Sequence, residues 1–107
     1  MPVKPLQCFS WRGVKGYMET LSNINLVFGQ KLRQARKEAN ITQEELAFKA
    51  GFDRTYISLL ERGQRSPSLT NVFRLCSVLN ITPGSLLDSV YRGFLMLEKR
   101  IQAVDDE

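Results

Sequence analysis

The side chains that could do chemistry in this chain bind and orient; those that make and break covalent bonds are scarce. There is no histidine, so a Ser–His or Cys–His nucleophile pair cannot be assembled. Two cysteines, Cys8 and Cys76, without histidine leave little for a zinc site, and the acids are scattered. The expectation is therefore no enzyme, no metal and no cofactor. What the chain does concentrate is a polar, cationic run: Arg54, Thr55, Ser58 and Arg62. On a helix turning about 100° per residue from Arg54, Ser58 falls at about 40°, Arg62 at about 80°, Thr55 at about 100° and Leu59 at about 140°. Tyr56, Leu60 and Ile57 fall at about 200°, 240° and 300°. One face thus offers two arginines, two short hydroxyl side chains and no acid. That is what a surface approaching phosphates and base edges requires, the short side chains letting the helix sit deep in a groove. Leu59 is the apolar member of that face, suited to a thymine methyl or to no contact at all. Tyr56 lies on the inward side, where it can pack or contact the DNA backbone or a base.

Such a helix needs a rigid platform, and the flanking sequence supplies one. From Ile24 to Ala39 a stripe of Phe28, Leu32, Ala35 and Ala39 has helical spacing. Thr42 with Glu45 three residues on is a capping-box signature, opening a helix over Gln43–Ala50 that stops at Gly51. Asp53 is the expected N-cap of a helix over Arg54–Arg62, closed by Gly63. Ser68 caps the next, Leu69–Leu79, with Leu69, Val72, Phe73, Cys76 and Leu79 facing inward. Thr82-Pro83 opens a fifth, since proline is tolerated at the first helical position, and the apolar pattern continues after Asp88 to about Val104. No strand pattern appears. The expected class is all-α, a five-helix DNA-binding domain with a C-terminal helical extension. Ala47 is small enough for close approach, Gly51 permits the turn, and Ile57 and Leu60 anchor the second helix, so Gln43 to Arg62 meets the spacing of a helix-turn-helix.

At 107 residues, 43 % of them apolar and 24 % charged, the chain has the bulk of one globular domain. The expected organisation is a poorly structured extension over 1–22, the DNA-binding domain over 23–88, and a helical extension over 89–107. Charge follows the same division. Residues 23–84 carry nine bases against five acids, whereas 85–107 carry three bases against five acids, so the middle is basic and the tail acidic. No run of about 18 apolar residues is present to span a membrane. Pro2, Pro5, Gln7, Ser10 and Arg12 interrupt any signal-peptide pattern, so the cytoplasm is the expected compartment. There Cys76 reads as a small buried hydrophobe rather than as half of a disulfide to Cys8.

Taken together, residues 24–88 resemble the Cro/repressor (XRE-type) family of helix-turn-helix regulators. The strings "TQEELA", "RTYIS" and "ERG-R-PSL" resemble in particular the controller proteins of restriction–modification systems. The resemblance implies roles position by position. Arg54 and Thr55 would read base edges, with Ser58 and Leu59 beside them. Gln43 would contact a phosphate and brace the recognition helix. Arg62, Gln64 and Arg65 would clamp phosphates after that helix, with Tyr56 a further phosphate candidate. Arg36 and Glu61 would form a structural ion pair.

The function this implies is a sequence-specific transcriptional regulator, binding a pseudo-palindromic operator on double-stranded DNA as a homodimer and controlling restriction–modification genes and its own. RNA polymerase is a candidate further partner. A single recognition helix reads too few base pairs to select one site, so a self-complementary apolar surface is required. Leu87, Val90, Tyr91, Phe94, Leu97, Ile101 and Val104 lie within about 140° of helical arc and supply the candidate. Gly93 costs about 1 kcal/mol within a helix and leaves a kink or two short helices open there. The alternative from another class is an antitoxin that binds a toxin through its extensions and autoregulates its operon.

Overall fold

The computed structural model describes residues 23–105, with side chains as far as Leu97. The N-terminal extension with Cys8, and the side chains of Ile101 and Val104, lie outside the described residues. Five α-helices follow in order: α1 (Ile24–Glu38), α2 (Gln43–Ala50), α3 (Arg54–Glu61), α4 (Leu69–Leu79) and α5 (Pro83–Asp105). The fold is all-α, and no strand occurs among the described residues.

Local chemistry sets most of the boundaries. The capping box of α2 forms in full: Thr42 Oγ1 accepts from the Glu45 backbone N–H at 3.0 Å, and Glu45 Oε1 accepts from the Thr42 backbone N–H at 3.3 Å. At its far end Gly51 sits in the left-handed region, φ 79°. A Cβ there would touch nothing, so the need for glycine is conformational rather than spatial. Asp53 has the extended backbone of an N-cap but makes no side-chain capping bond. Ser68 Oγ does cap α4, accepting from the Asn71 N–H at 3.1 Å. Thr82 Oγ1 does the same for α5, accepting from Ser85 N–H at 3.1 Å.

The core gathers Val27, Phe28 and Leu32 of α1, Leu46 and Ala47 of α2, Ile57 and Leu60 of α3, Val72, Leu75, Cys76 and Leu79 of α4, and Leu86 and Val90 of α5. Helix α1 lies against α3 and α5, α2 against α3 and α4, and α4 against α5. Several inward assignments need correction. Ala39 is the exposed C-cap of α1, and Leu69 and Phe73 are exposed, at 67 % and 56 %. The stripe of α4 that reaches the core is centred between Leu75 and Cys76, which puts Phe73 about 100° from Val72 and on the rim. Burial pushes the Cys76 thiol above its ordinary value, as expected of a hydrophobe-like cysteine.

Helix α5 runs unbroken through Gly93 and past residue 88, with Val90 buried on its near side. A Cβ at Gly93 would stand 2.7 Å from Val27 Cγ1. The glycine therefore marks a close crossing of α5 over α1 rather than a break. A tighter crossing lies at Gly29, mid-helix in α1, where a Cβ would overlap the Leu60 carbonyl oxygen and stand 2.6 Å from that of Glu61. Backbone cannot yield as a side-chain tip can. Alanine is the better helix former by about 1 kcal/mol, yet Gly29→Ala is expected to destabilise the chain by about 1–3 kcal/mol through overpacking. Urea melts check this, and a variant at least as stable as the parent would contradict the crossing.

Candidate nucleic-acid interface

Helix α3 presents two faces with opposite duties. Ile57 and Leu60 are fully buried and hold it in the core. Arg54, Thr55 and Arg62 are exposed, and Ser58 and Leu59 are half-buried on the same side. Arg62 Nε donates to the Ser58 carbonyl oxygen at 3.3 Å, laying that side chain along the helix. Beyond it Gly63 turns the chain at φ 74°, and a Cβ there would stand 2.7 Å from Leu26 Cα. The turn that carries the exposed Gln64 and Arg65 is thus pressed against the first turn of α1.

The orientation of α3 relative to its neighbours is held by Glu61, a buried acid at 7 % exposure. Arg36 of α1 meets it with a fork: Nε donates to Oε2 at 2.6 Å and Nη2 to Oε1 at 3.1 Å. Gln43 of α2 adds Nε2 to Oε1 at 3.0 Å, and Arg36 Nη1 donates to the Ile41 carbonyl oxygen at 2.9 Å. One carboxylate thereby ties three helices, and no buried side-chain polar atom among the described residues lacks a partner. The structure brings Arg36 and Glu61 together and assigns Gln43 the bracing half of its two expected tasks. In the free protein its amide is directed at Glu61 rather than outward.

Tyr56 is half-buried. Its ring packs on Phe52, centroids 4.9 Å apart and tilted by 52°, and its hydroxyl accepts from Asn71 Nδ2 at 2.8 Å. The Arg74 guanidinium stands 5.7 Å from the Phe52 centroid, within cation–π range. Sequence reading missed Phe52, Asn71 and Arg74 as parts of this site. Phe52 meets Tyr56 locally, four residues away, whereas Asn71 and Arg74 reach the site from α4 once that helix has packed.

On α5 the expected dimer stripe divides. Val90, at 5 % exposure, belongs to the monomer core and is withdrawn from the interface, and Leu97 also packs against that core. On the wheel these two fall with the buried Leu86, whereas Leu87 and Tyr91 lie on the far edge, exposed at 40 % and 57 %. Phe94, half-buried, stands between. The inward edge of the stripe is consumed by α1 and α4, a demand that a wheel of α5 alone does not register.

Comparison with known proteins agrees with this geometry. The helix-turn-helix family model matches residues 32–86. Control protein C.BamHI of Bacillus amyloliquefaciens is 48 % identical over 68 residues, 63 % of this chain and 84 % of the relative. Control protein C.MunI of a Mycoplasma species is 37 % identical over 71 residues, 65 % of this chain and 96 % of the relative. Among solved structures, the restriction–modification controller protein C.AhdI of Aeromonas hydrophila superposes with a TM-score of 0.57 at 45 % identity, covering 58 % of this chain and 94 % of that one.

The Glu61 node makes a direct prediction. Removing one partner of a buried pair strands the other, so Glu61→Gln should cost about 3–5 kcal/mol. The paired replacement Arg36→Met with Glu61→Leu leaves no stranded charge and should recover most of that loss. Denaturant melts of the single and double variants check the coupling, and additive losses would show that the two side chains act independently.

Proposed function

The chain belongs to the helix-turn-helix family of DNA-binding transcriptional regulators, and on that footing we propose that it acts as a homodimer on a pseudo-palindromic operator. The observation that carries this reading is the division of α3, with Ile57 and Leu60 sealed in the core while Arg54 and Thr55 stand exposed, the neighbouring acid Glu61 being buried and paired with Arg36. Inserted in a major groove, Arg54 donates two hydrogen bonds to guanine O6 and N7, and Thr55 and Ser58 offer hydroxyls to neighbouring bases. Leu59 lies close enough in register for a thymine methyl. Arg62, Gln64 and Arg65 follow the phosphate backbone, with Gln43 and Tyr56 flanking them.

Two relatives are control proteins and the solved neighbour C.AhdI is a restriction–modification controller, which supports an operator that governs restriction–modification genes and the regulator's own gene. RNA polymerase is the further partner where that operator adjoins a promoter. The relatives lend no support to the antitoxin alternative. Among the described residues no helix is long and apolar enough to cross a membrane, and a DNA ligand is met in the cytoplasm.

Two variants separate base reading from phosphate binding. Arg54→Ala should relax specificity at one base pair per half-site, costing about 1–3 kcal/mol there. Arg65→Ala should weaken specific and non-specific binding alike and lower the log–log salt slope by about one. Titrations on the DNA upstream of its own gene and on scrambled DNA, at several salt concentrations, read both. An unchanged operator preference for Arg54→Ala would remove it from the readers.

For the dimer, two recognition helices must stand about 34 Å apart along the duplex. Leu87, Tyr91 and Phe94 are the described part of α5 left to meet a second copy, with Tyr91 and Phe94 as aromatic anchors. The double change Leu87→Ala with Tyr91→Ala should sediment as a monomer, melt close to the parent, and lose most of its operator affinity. A parent chain that is monomeric at tens of micromolar and protects only one half-site would overturn the symmetric arrangement.

A further inference from the structure

We propose that Asn71, in the first turn of α4 and outside the helix-turn-helix, is a positioning residue for DNA binding: its amide directs the hydroxyl hydrogen of Tyr56 outward, onto a backbone phosphate. The inference rests on the reading of Tyr56 as a phosphate contact and adds to it the residue that makes that contact available.

The chemistry begins with the phenol. Its oxygen carries one hydrogen and accepts others, and conjugation with the ring keeps that hydrogen in the ring plane, pointing to one side or the other. Asn71 Nδ2 donates to this oxygen at 2.8 Å. With a donor on one side, the hydroxyl hydrogen must turn to the opposite side, away from Asn71. The backbone that carries the amide is held, because the Asn71 N–H is engaged by Ser68 Oγ at 3.1 Å, and the residue is half-buried. The ring is held too, by Phe52 at 4.9 Å, with Arg74 on the Phe52 ring. These contacts restrict both the ring and the Asn71 main chain before DNA arrives.

Placement makes the outward direction useful. Tyr56 stands in the first turn of α3 and Asn71 in the first turn of α4. The bond therefore joins side chains from the N-terminal turns of two helices, each turn at the positive end of its dipole. A phenol hydrogen offered to a phosphate there makes a charge-assisted bond. It needs no rotation on binding, so little ordering entropy is lost. A merely structural Asn71, stapling α3 to α4 through the same bond, would also show coupling to the hydroxyl, but its losses of DNA affinity would appear only in step with a lowered melting temperature, a result that would overturn the positioning role.

A double-mutant cycle distinguishes the two. Operator affinity, salt slope and melting temperature are measured for the full chain with Tyr56→Phe, Asn71→Leu and both. Tyr56→Phe is expected to weaken operator and non-specific DNA alike, by about tenfold, with the salt slope unchanged because no cation is lost. Asn71→Leu is expected to weaken binding by about threefold when Tyr56 is present and to have no effect in the Tyr56→Phe background. Should the leucine variant melt low, Asn71→Asp serves, since aspartate is favourable in a first helical turn. Its carboxylate accepts the hydroxyl hydrogen and turns it inward, so it should weaken binding more in the parent than in the Tyr56→Phe background. Equal losses in both backgrounds would overturn the positioning role. No loss from Tyr56→Phe would overturn it together with the phosphate role of Tyr56, while base reading by Arg54 would stand on its own titrations.

Discussion

The buried carboxylate of Glu61 is the interaction on which the arrangement of the first three helices depends. Taking a carboxylate and a guanidinium out of water costs several kcal/mol for each ion, so such a pair is a weak source of net stability. Its value here is geometric. Arg36 meets both oxygens as a planar fork, a match that fixes direction as well as distance, and Gln43 closes the remaining approach from α2. The last turn of α3 can then sit in only one way relative to α1 and α2. Gly29 allows the same junction to close, since α1 lies against the Leu60 and Glu61 carbonyls with no room for a methyl group.

Once α3 is held in this way, its exposed face follows. Ile57 and Leu60 occupy the core completely, and the 3.6-residue repeat leaves Arg54, Thr55, Ser58 and Arg62 on the opposite side. Precision at a DNA groove depends on that rigidity, because base-edge hydrogen bonds do not tolerate a helix that rocks. The contact of α4 with Tyr56 extends the same logic to the flank of the site, with a neutral hydrogen bond taking the place of an ion pair.

Helix α5 carries an apolar arc that its own core uses only in part. Its near side, through Leu86 and Val90, completes the core of its own chain, and Gly93 lets it cross α1 closely. Its far edge, at Leu87 and Tyr91, remains open. The open edge exists because the apolar arc is wider than a single packing contact requires.

Much of this was legible in the chain itself. Helix boundaries were set by neighbouring residues: Thr42 with Glu45, Gly51, Ser68 and Thr82 act within one turn of where they stand, and hydrogen-bonding rules that local can be read in order along a sequence. The two faces of α3 were legible for the same reason, since periodicity converts position directly into direction. Tertiary structure alone decided which apolar residues the core had room for. It drew in Val90 and Leu97, left Phe73 and Leu69 outside, and gave Gly29 and Gly93 their purpose as crossing points. It also decided the partners of Glu61 and Tyr56, of which Arg36 and the bracing by Gln43 were legible only through the family resemblance and not from any local rule. Arg36 and Gln43 lie 25 and 18 residues from Glu61, and Asn71 lies 15 from Tyr56. No periodic rule spans such separations, because those contacts form only after helices with no sequence adjacency have packed against one another.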